Sequence, residues 1–151
     1  MQGNLTWIEP IFDRTQKDVD DAARIIQTRY EELIDDEKKQ YINGLKGCLN
    51  KSDIERVLNN INYINDFIDV DLMENTVPTN IYTAFTQGIV DNVKRIKEKF
   101  AISIDVPEVP LNHWKKWNAI EEILYKAYQI IGRNDYTYVG EKILGDNTDI
   151  I

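Results

Sequence analysis

The chain holds one cysteine and one histidine in 151 residues, and it has no glycine-rich loop and no long apolar run. Cys48 alone cannot close a disulfide within the chain, and no Cys/His pair stands at zinc-ligand spacing, so folding is expected to rest on packing. Neither GxxxxGK[ST] nor GxGxxG occurs, which removes the usual phosphate cradles. Basic residues are outnumbered: the formal net charge is -8 and the pI is near 4.7. That balance excludes binding driven by a nucleic-acid backbone, which needs clustered Lys and Arg, and it disfavours anionic membranes. Even the apolar stretch INDFIDVDLM carries three Asp and one Asn, so no segment matches the ~20 residues of a membrane span. The opening LTWIEPIFDR is interrupted by Glu9, Asp13 and Arg14 and does not read as a signal peptide.

What the sequence does contain is helical periodicity. Val19, Ala22, Ala23, Ile26, Tyr30, Leu33 and Ile34 follow the three-and-four spacing of one helical face after Thr15, an expected N-cap with Asp18 in the first turn. Asp35 and Asp36 are expected to cap a shorter helix over EKKQYINGL, which ends in the glycine-bearing NGLKGCLN. Ser52 and Glu55 form a capping-box pattern ahead of Ile54, Val57, Leu58, Ile61, Ile64, Phe67 and Ile68. In that helix Ile61 is expected to matter more than Asn60. After Pro78, Thr79 can cap a helix bearing Tyr82, Phe85, Ile89, Val93, Ile96 and Phe100. AISIDVPEVP, with two prolines, reads as a connector or at most an edge strand. Asn112 is the expected cap of a last helix with Trp117, Ile120, Leu124, Ala127 and Ile131 at core spacing, closed by Gly132.

These readings give a mainly α protein: a helical bundle of about four to five helices over 15–132, an extended N-terminal arm over 1–14, and a C-terminal tail over 133–151. In the tail, Tyr136, Tyr138, Ile143 and Leu144 around Gly140 suggest a short strand or hairpin. LNKSDIERVLNNINYI and LNHWKKWNAIEEILYK align at a shift of 62 residues, as either two unrelated amphipathic helices or a duplicated unit.

Chemistry is sparse. His113 lies beside Trp114 and two lysines with no nucleophile motif, which reads as capping or packing. Cys48 reads as a small packing residue. Asp66, Asp69 and Asp71, or Asp146 and Asp149, lack the central glycine and terminal Glu of a calcium loop and read as solvated charges. Glu122 and Lys126 read as surface helix support. No catalytic residue, cofactor or metal site is expected. Trp114, Trp117, Tyr125 and Tyr128 form an aromatic surface for the core or a partner. Trp7, with Ile8, Ile11 and Phe12, belongs to no amphipathic helix: it is either a clamp on its own bundle or an anchor on another subunit.

The segment W-I-x-P-I-x-D-R-T-x-x-D-V at Trp7 to Val19 resembles the sequence style of small tail or baseplate-region structural proteins of tailed phages and prophages of Gram-positive bacteria. L-N-x-x-D-I-x-R-V-x-x-N-I-x-Y-I at Leu49 to Ile64 is similar to a second element of such chains, through Asp53, Arg56, Asn60, Ile61 and Tyr63. The last helix repeats that style with Leu111, Asn112, Trp117, Asn118, Glu121 and Tyr125, and Tyr138 to Glu141 matches a closing Tyr-x-Gly-Glu. Asp13-Arg14 departs from the family's common Asp-Trp step, and the polar DNTDII end departs too. The resemblance implies a non-enzymatic virion part, assembled in the bacterial host cytoplasm, multi-copy or homo-oligomeric, in contact with other virion structural proteins. Its extended ends would dock through Trp7, Ile8, Ile11, Phe12, Tyr136 and Tyr138 and shift the arm toward the anchor reading. Composition also allows a free-standing acidic adaptor or immunity-type inhibitor that covers a basic partner.

Overall fold

A computed structural model of the chain describes residues 5–68, 83–132, 136–139 and 142–145. The protein is mainly helical, with five α-helices among the described residues: α1 (Gln16–Gln27), α2 (Asp35–Asn43), α3 (Lys51–Asn65), α4 (Thr83–Phe100) and α5 (Trp114–Ile131). Two short strands, β1 (Tyr136–Val139) and β2 (Lys142–Gly145), pair antiparallel, Tyr136 opposite Gly145 and Tyr138 opposite Ile143. The expected Thr79 cap, Tyr82, Asp69, Asp71, Gly140, Asp146 and Asp149 lie outside the described residues.

Helices α3, α4 and α5 pack against one another. Their inward stripes place Val57, Leu58, Ile61, Ile64, Ile89, Val93, Ile96, Ile120, Ile123 and Leu124 at 0 % exposure, the periodic positions read from the sequence together with their neighbours. At about 1.5–3 kcal/mol for each fully buried large side chain, this stripe dominates the stability of the bundle. The connector between α4 and α5 contains no strand, but it buries Ile102 and Leu111 against the same core. Trp117 Nε1 donates to the Leu111 carbonyl at 3.1 Å, which ties the connector to α5.

Helices α1 and α2 form a lateral unit with its own small core of Ala22, Ile25, Leu33 and Leu45. The Thr15 cap is present as a full box: Thr15 Oγ1 accepts from the Asp18 N–H, and Asp18 accepts from the Thr15 N–H at 2.9 Å. The apolar pattern that runs on to Ile34 does not stay helical. Thr28 leaves the helix in an extended conformation, its hydroxyl donating to the Arg24 carbonyl, and a 3₁₀ turn over Tyr30–Glu32 follows. The consequence is a changed facing. Beyond the break Leu33 is buried while Tyr30 and Ile34 are exposed; within α1 itself Ile25 takes the inner position, and Ala23 and Ile26, also expected on the inner face, are exposed.

The other caps also shift by a residue or two. Ile34, not Asp35, stands at the N-cap of α2, and Asp35 and Asp36 occupy its first turn, where their charges suit the helix dipole. The box opening α3 is Asn50 with Asp53 rather than Ser52 with Glu55, because Asp53 accepts the Asn50 N–H at 2.7 Å. His113 rather than Asn112 caps α5, its Nδ1 accepting the Lys115 N–H at 3.1 Å. Gly47, between α2 and α3, presses on α1 so closely that a Cβ there would lie 2.1 Å from the Asp18 carbonyl oxygen. No other residue fits without moving α1.

Ala101 ends α4 with φ at +52°, a left-handed conformation that costs a Cβ-bearing residue about 1–2 kcal/mol. Ala101→Gly is therefore expected to raise the stability measured by urea unfolding by about 0.5–1 kcal/mol, after allowing for the unfolded-state entropy of glycine. The Asp18 carboxyl is held below its ordinary range: partial burial pushes it up, but the Thr15 N–H and the Lys46 ammonium outweigh that. A depressed carboxyl contributes its stability above the unfolded value and loses it as pH falls through the folded one. Amide exchange in the first turn of α1 should accelerate as pH is lowered from about 5 toward 2, after correction for intrinsic rates, and Asp18→Asn should flatten that dependence.

Candidate functional site

The arm over residues 5–14 has no regular secondary structure, and it lies along α3 and α5. Backbone groups in such a segment need partners, and here side chains of the bundle supply them. The Asn60 amide accepts the Ile8 N–H at 3.0 Å and donates to the Ile8 carbonyl at 2.8 Å. Asn118 repeats the device six residues on, accepting the Arg14 N–H at 3.3 Å and donating to its carbonyl at 3.0 Å. Asn59 donates to the Thr6 carbonyl at 2.7 Å, and Glu121 accepts the Ile11 N–H at 3.2 Å. Each asparagine thus stands in for the peptide group of a neighbouring strand. Asn60 is 0 % exposed, as is Ile61, so both residues named on this helix lie in the interior.

Between these clasps the arm inserts its aromatics. Trp7 stacks on Tyr128 with centroids 4.2 Å apart and planes within 7°, and it meets Tyr63 edge-on at 5.7 Å. Phe12 lies 5.2 Å from Tyr125. The aromatic shelf on α5 is therefore covered by the chain's own N-terminus. Of the residues expected to meet a partner, Trp7, Ile11 and Phe12 are half-buried on the bundle, and Ile8 remains 43 % exposed. Tyr136 and Tyr138 sit on β1, apart from these residues in sequence, and only their backbone register is described.

At the end of the arm, Arg14 enters the interior. Its Nη2 donates to Asp53 Oδ1 at 2.9 Å, its Nη1 faces Glu121 Oε2 at 3.5 Å, and its Nε donates to the Lys46 carbonyl at 2.9 Å. Arg56 closes the set with a bidentate grip on Glu121 at 2.6 and 2.7 Å and a 2.8 Å bond to Asp53. All four residues are buried, Glu121 at 1 % exposure, and their charges sum to zero. Burial opposes the charge on Arg56, but the hydrogen bonds and fields of Glu121 and Asp53 outweigh it and hold the guanidinium above its ordinary value. Sequence reading missed this set: Asp53, Arg56 and Glu121 carry the resemblance, yet nothing in helical period distinguishes a charge on the inner face from one outside.

A cavity of about 490 Å³ opens beside Arg14, lined by Val19, Cys48, Leu111, His113, Trp114 and Trp117 among others. The single cysteine and the single histidine both line it, but the His113 Nδ1 is engaged in capping α5. Among the described residues no cluster of His, Cys, Asp and Glu is arranged to hold a metal ion, and no helix is long and apolar enough to cross a membrane.

The lateral unit offers the opposite situation. No residue of α2 is buried, and Ile34, Ile42 and Tyr41 are 65 %, 70 % and 49 % exposed. Tyr30 meets Tyr41 edge-on at 5.8 Å on the same outer side, with the Lys38 ammonium 5.4 Å above the Tyr30 ring. Compared with protein-family models, curated proteins and solved structures, the chain matches none.

Replacing Arg14 by Met tests the buried set. It leaves two carboxylates facing one guanidinium, so urea unfolding should report a loss of about 3–5 kcal/mol, with faster amide exchange at Ile8 and Ile11. Lys17→Met, which removes only an exposed i,i+4 pair to Asp21, should leave the urea midpoint almost where it was.

Proposed function

We propose that this chain is a non-catalytic structural subunit of a virion, in the tail or baseplate region, that works by docking to neighbouring subunits. The observation that carries the reading is where the residues of the resemblance lie. Arg14 of the Asp-Arg-Thr step, Asp53, Arg56, Asn60, Asn118 and Glu121 converge on one seat that fixes the N-terminal arm across α3 and α5. Their shared role is to set a shape, since every charge in the set is neutralised by another and every amide is engaged with backbone. A scaffold of this kind suits a part repeated in an assembly, where each copy must present the same surface.

In this reading the arm docks in two senses: its inner side chains bind the bundle, and Ile8 is left on the outside for a neighbour. The carboxylates Glu31, Glu32, Asp35 and Asp36, all exposed, favour as a second reading a free-standing acidic adaptor with a basic partner. Density-gradient purification of particles from a host producing a tagged chain separates the two. A virion subunit is expected in the particle fraction at a fixed stoichiometry, resistant to a high-salt wash. Recovery of the chain only as free protein, or its stripping from particles by salt, would overturn the virion reading in favour of the adaptor.

A further inference from the structure

Helix α2 poses a physical problem. A helix of nine residues is marginal alone, and helices in proteins draw most of their stability from burying an apolar face. None of its residues is fully buried: Ile34, Tyr41 and Ile42 fall, with the half-buried Lys38, on one stripe at helical spacing, and the three apolar side chains face solvent. The unit beneath it is held by Ala22, Ile25, Leu33 and Leu45, with the Arg24–Glu37 ion pair bridging α1 and α2. Contiguous exposed apolar surface within a polar rim marks an interaction site.

The rim says what covers it. Glu31, Glu32, Asp35 and Asp36 are exposed around the stripe. Of the nearby cations, Arg24 is paired with Glu37, Arg29 lies 3.7 Å from Glu31, Lys38 is drawn over Tyr30, and Lys39 stands exposed on α2 among the more numerous carboxylates. Among the described residues, Glu32, Asp35 and Asp36 take part in no ion pair. A second copy of the chain would bring the same carboxylates onto this rim, and each copy carries a net charge of -8, so self-association through this face is opposed. We propose that the stripe of Tyr30, Ile34, Tyr41 and Ile42, inside its carboxylate rim, docks an apolar surface edged with Lys and Arg on a different protein. This rests on the reading of the chain as a docking subunit and gives its partner a chemistry.

The test uses the full-length chain and a synthetic amphipathic helical peptide of Leu and Lys, with a Leu/Glu peptide of the same pattern as the control. Binding is followed by fluorescence anisotropy and by amide chemical shifts. The expected result is binding of the Leu/Lys peptide alone, with shifts centred on residues 30–43. Affinity should fall about tenfold in Ile34→Ser/Ile42→Ser, and several-fold, with a flatter salt dependence, in Asp35→Asn/Asp36→Asn. Both variants change exposed side chains, and unaltered far-UV circular dichroism checks that they fold. Equal binding of the Leu/Glu peptide, shifts elsewhere, or affinity indifferent to both variants would overturn the proposal. So would a dimer in sedimentation equilibrium that Ile34→Ser/Ile42→Ser dissolves, since the occupant would then be a second copy. If the peptide binds as expected but the chain is absent from purified particles, the docking face stands and the virion reading alone fails.

Discussion

The arrangement of the N-terminal half depends on the charge set formed by Arg14, Asp53, Arg56 and Glu121. Without Arg14, the bundle would carry two buried carboxylates against a single guanidinium, an imbalance that the low-dielectric interior penalises heavily. With Arg14 in place the set is neutral, and the position of the arm is fixed from its inner end. Two elements follow from that one placement. Upstream, Ile11, Ile8 and Trp7 are led along α5 and α3; downstream, Thr15 is positioned to cap α1, so the lateral unit starts where the arm is pinned.

Along the arm, energy and specificity come from different groups. The stacking of Trp7 on Tyr128 and the contact of Phe12 with Tyr125 supply apolar burial, which is large but tolerant of small slides. The Asn60 and Asn118 clasps are weaker in net free energy, about 1 kcal/mol per hydrogen bond, but each fits one peptide group in one direction. Register is therefore set by the amides and affinity by the rings. Among the described residues Trp7 Nε1 finds no hydrogen-bond partner, in keeping with a seat whose geometry is chosen by the backbone clasps.

Much of the bundle was legible from period alone: the inner residues of α3, α4 and α5 are those that recur at three and four. The Thr15 cap and the Gly132 stop were legible too, whereas the starts of α2, α3 and α5 lie one or two residues from the caps expected, because several neighbouring polar residues can cap a helix equally well in sequence. The arm's seat was not. A hydrogen bond from Asn118 to Arg14 spans 104 residues, and an Asn or Glu on a helix looks the same in sequence whether it faces water or a neighbouring backbone. The end of α1 was misread for a related reason. Tyr30, Leu33 and Ile34 keep the helical spacing of Ile26 through a break at Thr28, so the pattern could not reveal that Tyr30 and Ile34 face outward while Leu33 alone of the three is buried.

The protein handles its carboxylates in two contrasting ways. Inside, Asp53 and Glu121 are balanced by arginines to within a hydrogen bond, and the result is a rigid joint with no charge left for a partner. On α2 and the 3₁₀ turn, acidic side chains stand in water around exposed isoleucine and tyrosine. Burial of that stripe removes apolar area from water at about 25 cal/mol per Å², but it also brings the rim carboxylates into a drier setting, where like charge is repelled and unlike charge is attracted more strongly. The same surface therefore selects its occupant by sign as it binds by area. The arm joint and the thinly buried lateral unit are complementary in this respect: the joint ties the start of α1 to the bundle through Arg14, and contact on α2 would supply the burial that helix lacks alone.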